Sequence, residues 1–183
     1  MPNKQISKSP NNLLTEYKPA ILFLARFLGV YIIGNILYGL YIVSFDIADP
    51  VTQLVSDHTV GLLRLFGQDV TSLLAINRPT TILQLEGMGV IEVYEGCNAI
   101  NVSILFVAFQ IAYKGSLKNT IVFSIFGLIS IYIFNLLRLA GLFYVALYFP
   151  DQMFLMHKFV FTGVIYAFIF GLWYLWVTKF SKS

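Results

Sequence analysis

Residues 119–149 read NTIVFSIFGLISIYIFNLLRLAGLFYVALYF, and this stretch decides what kind of protein the chain is. Its apolar residues run on without the alternation that a barrel strand would show, so it is helical. A membrane span needs about 20 residues at a rise of about 1.5 Å each. The run is therefore too long for one helix perpendicular to a bilayer: it must tilt, project beyond the lipid, or break near Gly141. Three more apolar runs flank it, within residues 20–45, within 96–113 and from about 157 to 178. With 58% hydrophobic and 11% charged residues in 183, and a mean hydropathy of +0.78, the chain has too little polar surface to cover an apolar core in water. The sequence predicts an all-α polytopic membrane protein of about four transmembrane helices, the third long or broken.

The charges orient the bundle. Lys4, Lys8, Lys18 and Arg26 precede or enter the first run, Lys114 and Lys118 fill the second connection, and Lys179 and Lys182 close the chain. These regions belong on the cytoplasmic side, which puts both termini there. Asp46, Asp49, Asp57, Asp69, Glu86, Glu92, Glu95 and Asp151 fall in the two outer connections, and only Glu16 lies within. The first run reads as a retained signal anchor. One integral membrane domain, 1–183, is expected: a cytoplasmic tail at 1–19, an outer interfacial segment at 46–95, and helices carrying the chemistry at 96–178.

Within the outer segment, Val51, Leu54, Val55, Leu62, Leu65 and Phe66 recur at helical spacing and predict an amphipathic helix on the outer interface or over the bundle. Residues 80–85 and 90–94 are β-branched and aromatic-rich around Glu86-Gly87-Met88-Gly89, a small hairpin that delivers the chain into Cys97.

Cys97 is the only cysteine. Arg138 lies nineteen residues after Asn119 and so roughly 28 Å up the third helix, near the outer face of a core about 30 Å thick. Cys97 enters the membrane from that face, and His157 starts the last helix from it. Each has a plain structural reading: a small packing residue, an arginine that snorkels to the interface, a histidine at a helix entrance. Asn135, one turn before Arg138, can share its face or bond a neighbouring helix. His58 reads as a surface residue, and Glu92, Glu95 and Asp151 as solvated charges. The chemical reading is an activated thiol. A helix N-terminus and a guanidinium lower a thiol's pKa, Arg138 can alternatively hold an oxyanion, and His157 can carry the proton. A different class fits too: a non-catalytic subunit or small transporter whose Arg138 and Asn135 pair with a partner helix or line a polar path.

Glu95-Gly96-Cys97-Asn98-Ala99-Ile100 entering a membrane helix, then Asn135-Leu136-Leu137-Arg138-Leu139-Ala140-Gly141, then His157, resembles the exosortase/archaeosortase family. The asparagine after the cysteine, the small size and the tail at 163–176 are most similar to the exosortase F type of Bacteroidetes. The resemblance covers roughly residues 80–177. It implies a cysteine transpeptidase or protease of the bacterial inner membrane, working on its outer side, that processes C-terminal sorting signals of exported, membrane-tethered proteins. It also implies Cys97 as nucleophile, with Arg138 and His157 as its partners and Asn135 and Asn98 in support. The chain departs from larger members in having about four spans rather than about eight, and Asn98-Ala99 where many have serine and glycine. Tagged substrate proteins, membrane lipid and, where one is needed, an accessory membrane protein are the expected partners. No nucleic acid, metal or cofactor is expected.

Overall fold

The computed structural model describes residues 10–113 and 115–181, with side chains from Glu16 onward. Lys4, Lys8, Lys114 and Lys182 of the charge pattern lie outside the described residues.

Five helices and one small sheet make up the fold. They are α1 (Pro10–Val43), α2 (Pro50–Leu65), α3 (Ile100–Ala112), α4 (Leu117–Tyr148) and α5 (Pro150–Phe180), with β1 (Val70–Leu74), β2 (Thr80–Leu85) and β3 (Met88–Tyr94) between α2 and α3. α1 from Glu16, α4 and α5 are each long and apolar enough to cross a membrane, and the protein is a multi-pass membrane protein. α4 is one unbroken helix, so the long run does not break at Gly141. At about 1.5 Å per residue it exceeds the hydrocarbon thickness by several turns, which therefore tilt or stand beyond the lipid. α3, by contrast, has 13 residues, about 20 Å, and falls short of a full span. α5 starts seven residues before His157 and carries π-helical turns at Met156–Phe161 and Trp176–Phe180.

Two apolar cores lie end to end. The first joins Val55, Val60 and Leu63 of α2, Val70, Leu83, Ile91 and Val93 of the sheet, and Leu139, Leu142 and Phe143 of the last turns of α4. The second joins Phe106 of α3, Phe123 and Ile131 of α4, and Ile169, Leu172 and Trp176 of α5. α1 packs chiefly on α3, and none of its most apolar window is buried, as for a helix facing lipid along its length.

The outer segment holds two corrections. The hairpin is the second half of a three-stranded antiparallel sheet, because residues 70–74 form an additional strand paired Val70 with Leu85 through Leu74 with Thr81. That strand went unread because Val70-Thr71-Ser72-Leu73-Leu74 lacks clear alternation. The helix α2 is present, but its buried face is Thr52, Val55, Ser56, Thr59, Val60 and Leu63, while Leu54, Leu65 and Phe66 face outward. Hydroxyls can line a core face because Ser56 Oγ donates to the Thr52 carbonyl and Thr59 Oγ1 to the Val55 carbonyl, so neither is left unpaired.

Candidate active site

Cys97 sits where the two cores meet. β3 runs into a single 3-10 turn, Glu95–Cys97, and the chain then reverses through Ala99, held at φ 65°, before α3 begins at Ile100. Gly96 gives the Tyr94 ring room in that turn: the ring lies over it, and a Cβ there would come within 2.3 Å of the ring's Cε2 unless the ring moved. The cysteine thus precedes α3 by a turn rather than heading it, which corrects the expectation that a helix N-terminus acts on the thiol. His157 is likewise not at the head of α5 but in its π-helical turn, where Thr162 Oγ1 donates to the His157 carbonyl at 2.9 Å.

The three candidate residues nonetheless converge. Cys97 Sγ lies 3.8 Å from His157 Nε2. Asn135, fully buried on α4, donates from Nδ2 to the Cys97 carbonyl at 2.8 Å and accepts at Oδ1 from an Arg138 terminal nitrogen at 3.3 Å. Arg138 is 9% exposed, and its Nε is buried without a hydrogen-bond partner among the described residues. A guanidinium held this way, with no carboxylate bonded to it among the described residues, projects a strong positive field on its surroundings.

Asn98 locks the turn from the other side. Its Oδ1 accepts from the Ile100 N–H at 3.0 Å, and its Nδ2 donates to the Tyr38 hydroxyl at 2.7 Å and to Thr52 Oγ1 at 3.0 Å. Tyr38 in turn donates to the Glu95 carbonyl at 3.3 Å. Thr52 donates to Asp49, which caps α2 by accepting from the N–H groups of Val51 and Thr52. One buried network therefore ties α1, α2 and the Cys97 turn together, with every partner satisfied by another, the condition under which a buried polar network rigidifies.

Burial is the largest influence on the thiol and pushes it up from its ordinary value. The Arg138 charge and hydrogen bonds from the Tyr94 backbone and phenol pull it down, Glu95 pushes it up again, and the net displacement is upward. The thiol is therefore protonated at neutral pH, and a nearby base has to take its proton if it is to attack. The Tyr94 phenol is also raised, with the charge of Cys97 the first cause.

Sequence reasoning did not single out Tyr38, Thr52, Asp49 or Tyr94. Asp49-Pro50 is a readable cap-and-start signal for α2, but the ties to Asn98 are tertiary and leave no local mark. His58 does not join the cluster; its Nδ1 pairs with the Tyr132 hydroxyl at 2.7 Å. Glu92 pairs with Arg78 at 2.9 Å on the exposed side of the sheet. Among the described residues no three His, Cys, Asp or Glu side chains gather as metal ligands.

A multi-pass membrane protein with thiol, imidazole and guanidinium gathered at one end of its bundle has the parts of a membrane-embedded acyl-transfer site. The family model of transmembrane exosortases (Exosortase_EpsH) matches residues 15–176, and the chain belongs to that family, whose known activity is that of cysteine transpeptidases. No curated protein and no solved structure matches the chain.

Proposed function

We propose that this protein cleaves C-terminal sorting signals of exported, membrane-tethered proteins through a thioester on Cys97. The observation that carries the reading is the 3.8 Å approach of Cys97 Sγ to His157 Nε2 beside a buried Arg138 whose Nε has no hydrogen-bond partner among the described residues. His157 Nε2 takes the thiol proton, and the thiolate attacks the carbonyl carbon of the scissile peptide bond. The C–N bond then breaks, the imidazolium returns its proton to the leaving amine, and the acyl group stays on sulfur as a thioester. Water or an amine on an acceptor releases it, which makes hydrolysis or transpeptidation the outcome. Such proton transfer contributes about 10²–10⁴-fold to rate. Arg138 stabilises the thiolate or the oxyanion, where loss of one donor costs about 10²–10³-fold. Asn135 and Asn98 position the turn.

The charge pattern supports the sidedness. Lys18, Arg26, Lys118 and Lys179 lie toward one end of the bundle and the acids at 46–95 toward the Cys97 end, so the site faces outward from the inner membrane, with both termini cytoplasmic. A substrate held by its own C-terminal hydrophobic helix presents its cleavage bond at that height. Burial of Asn135 and Arg138 against the Cys97 turn, rather than toward a partner helix, favours catalysis over a non-catalytic subunit or transporter.

Thioester trapping on a membrane-tethered substrate tests the proposal. The adduct should vanish with Cys97→Ala, while Arg138→Ala and His157→Ala insert normally and leave substrate unprocessed. An undiminished adduct in Cys97→Ala sinks the nucleophile, and full activity in His157→Ala removes the base.

A further inference from the structure

β3 is an edge strand of a sheet ordered β1-β2-β3, and the register shows which of its backbone groups face the open side. The Ala75 N–H donates to the Thr80 carbonyl at 3.0 Å, so Thr80 turns its backbone toward β1. Thr80 is paired with Tyr94 across β2 and β3, which makes theirs a non-hydrogen-bonded pair and turns the N–H and C=O of Tyr94 away from β2. Pairs alternate, so Val93 bonds to β2 and Glu92 again opens outward. Tyr94 stands three residues before Cys97, and its backbone acts on the Cys97 thiol. The open edge therefore ends at the reactive sulfur.

The other edge is covered. On β1, Arg64 Nε donates to the Val70 carbonyl at 2.9 Å, Ser72 binds Asp57, and α2 packs alongside. On β3, α4 packs against the strand and the Glu92 side chain pairs with Arg78, but among the described residues no side chain bonds the outward N–H or C=O of Glu92, and a bulge opposite Leu83 and Gln84 places one extra residue, Val90, before that stretch. An edge whose outward backbone groups no side chain takes, continuous with the Cys97 turn, is a template for adding a strand.

We propose that β3 takes the substrate segment just ahead of the cleaved bond as a fourth strand, parallel to itself. The proposal rests on the function proposed above. A substrate anchored by a C-terminal helix runs from water into lipid as it passes the site, and β3 runs the same way, from Met88 into the Cys97 turn and α3. Glu92 supplies the edge N–H and C=O that the added strand bonds. The Tyr94 N–H, about 7 Å further on at about 3.4 Å per residue, meets the scissile carbonyl at the sulfur. Backbone pairing gives affinity, and side chains of the added strand alternate between the two faces of the sheet.

Disulfide mapping tests the register. Glu92→Cys in a Cys97→Ala chain is oxidised in membranes against a tethered substrate carrying single cysteines walked along the residues before the cleavage bond. Cross-links are expected at every second position, strongest about two or three residues ahead of the bond. Equal cross-linking at consecutive positions, or none, overturns the proposal. A Glu92→Cys disulfide between two copies of the chain without substrate capture also overturns it, by giving the edge to self-association. In the active chain, Glu92→Pro deletes an N–H that the ladder does not use. It should raise substrate KM at least about fivefold with kcat and thermal midpoint little changed. Arg78→Gln, which breaks only the ion pair to the Glu92 side chain, should leave KM alone; equal effects of the two assign the loss to the ion pair and end the proposal. If Cys97 still forms its thioester while the cross-links and the KM effect are missing, strand addition fails and the cysteine chemistry stands. If no thioester forms at all, the functional reading itself has failed.

Discussion

The core around Leu83 and the core around Phe106 are closed by different means. The first is a water-type core: a capped amphipathic helix and a hydrogen-bonded sheet laid over the end of α4, the Ser56 and Thr59 hydroxyls of the helix returned to backbone carbonyls. The second is closed by rings and close approach. Phe109 stacks on Trp173 at 4.4 Å and Phe134 on Phe168 at 4.6 Å, Phe106 fills the space where a Cβ on Gly127 would come within 2.1 Å, and Gly34 leaves room for Ile104. Lipid is as apolar as these side chains, so packing rather than release from water holds the second core. Cys97 belongs to the first core and Ala99, two residues on, to the second. The geometry of Cys97, the proposed nucleophile, is thus set by the joint between two differently stabilised bodies, and Asn98 and Asn135 are the pins of that joint.

The largest effect should separate the cores directly. Leu83→Ala truncates a fully buried residue of the first core and is expected to cost about 2–5 kcal/mol, the usual range for a core leucine. Leu172→Ala makes the same change in the second, where lipid or a neighbouring side chain replaces the lost methyls, and should cost less than half as much. Denaturation of both variants in micelles, with unfolding of sheet and helices followed separately, reads the difference. Equal costs would break the comparison.

The joint itself comes next. Asn135→Leu leaves the Cys97 carbonyl without its donor and Arg138 without its acceptor, a penalty of about 1–3 kcal/mol for the unpaired groups. Both cores should survive while turnover falls about 100-fold, through kcat more than KM. Retained turnover would show that the joint is structural only.

Much of this arrangement is readable before any coordinates. The 119–149 run, the amphipathic 51–66 segment and the hairpin follow from period and length, and Cys97, Asn135, Arg138 and His157 follow from chain order and depth. What escaped is what depends on tertiary company. The face α2 buries could not be read from Leu54 and Leu65, because its hydroxyl face is admissible only through bonds to its own carbonyls. Strand 70–74 has no alternating pattern and exists through pairing with β2. The role of Tyr94 depends on a glycine two residues later that lets its ring fold over the turn. Tyr38 and Thr52 meet Asn98 from 60 and 46 residues away, a closeness no local pattern encodes.

A smaller effect concerns the thiol at the joint. Because burial outweighs the pull of Arg138 and Tyr94, Cys97 should alkylate slowly at neutral pH, its rate still rising above the range where an ordinary thiol levels off. Arg138→Gln removes a lowering influence and should move that profile to still higher pH. Measuring the alkylation rate against pH in detergent checks both directions. A plateau near neutrality would mean that substrate-free Cys97 is already a thiolate, and that the joint is wetter than its packing implies.

The smallest expected effect marks where the site ends. Tyr132 stands one turn before Asn135 on α4, and its hydroxyl meets His58 Nδ1 across the α2–α4 contact on the exposed side of the first core. An exposed bond of this kind exchanges readily with water, so Tyr132→Phe should change stability by no more than about 1 kcal/mol and turnover by less than about twofold. His58→Gln should behave alike, and the double variant no worse than either, since both remove the same bond. Turnover reduced tenfold or more by either single change, with folding intact, would extend the site across α2. It would bring a second imidazole into the chemistry and move the proposed catalytic centre from the joint into the first core.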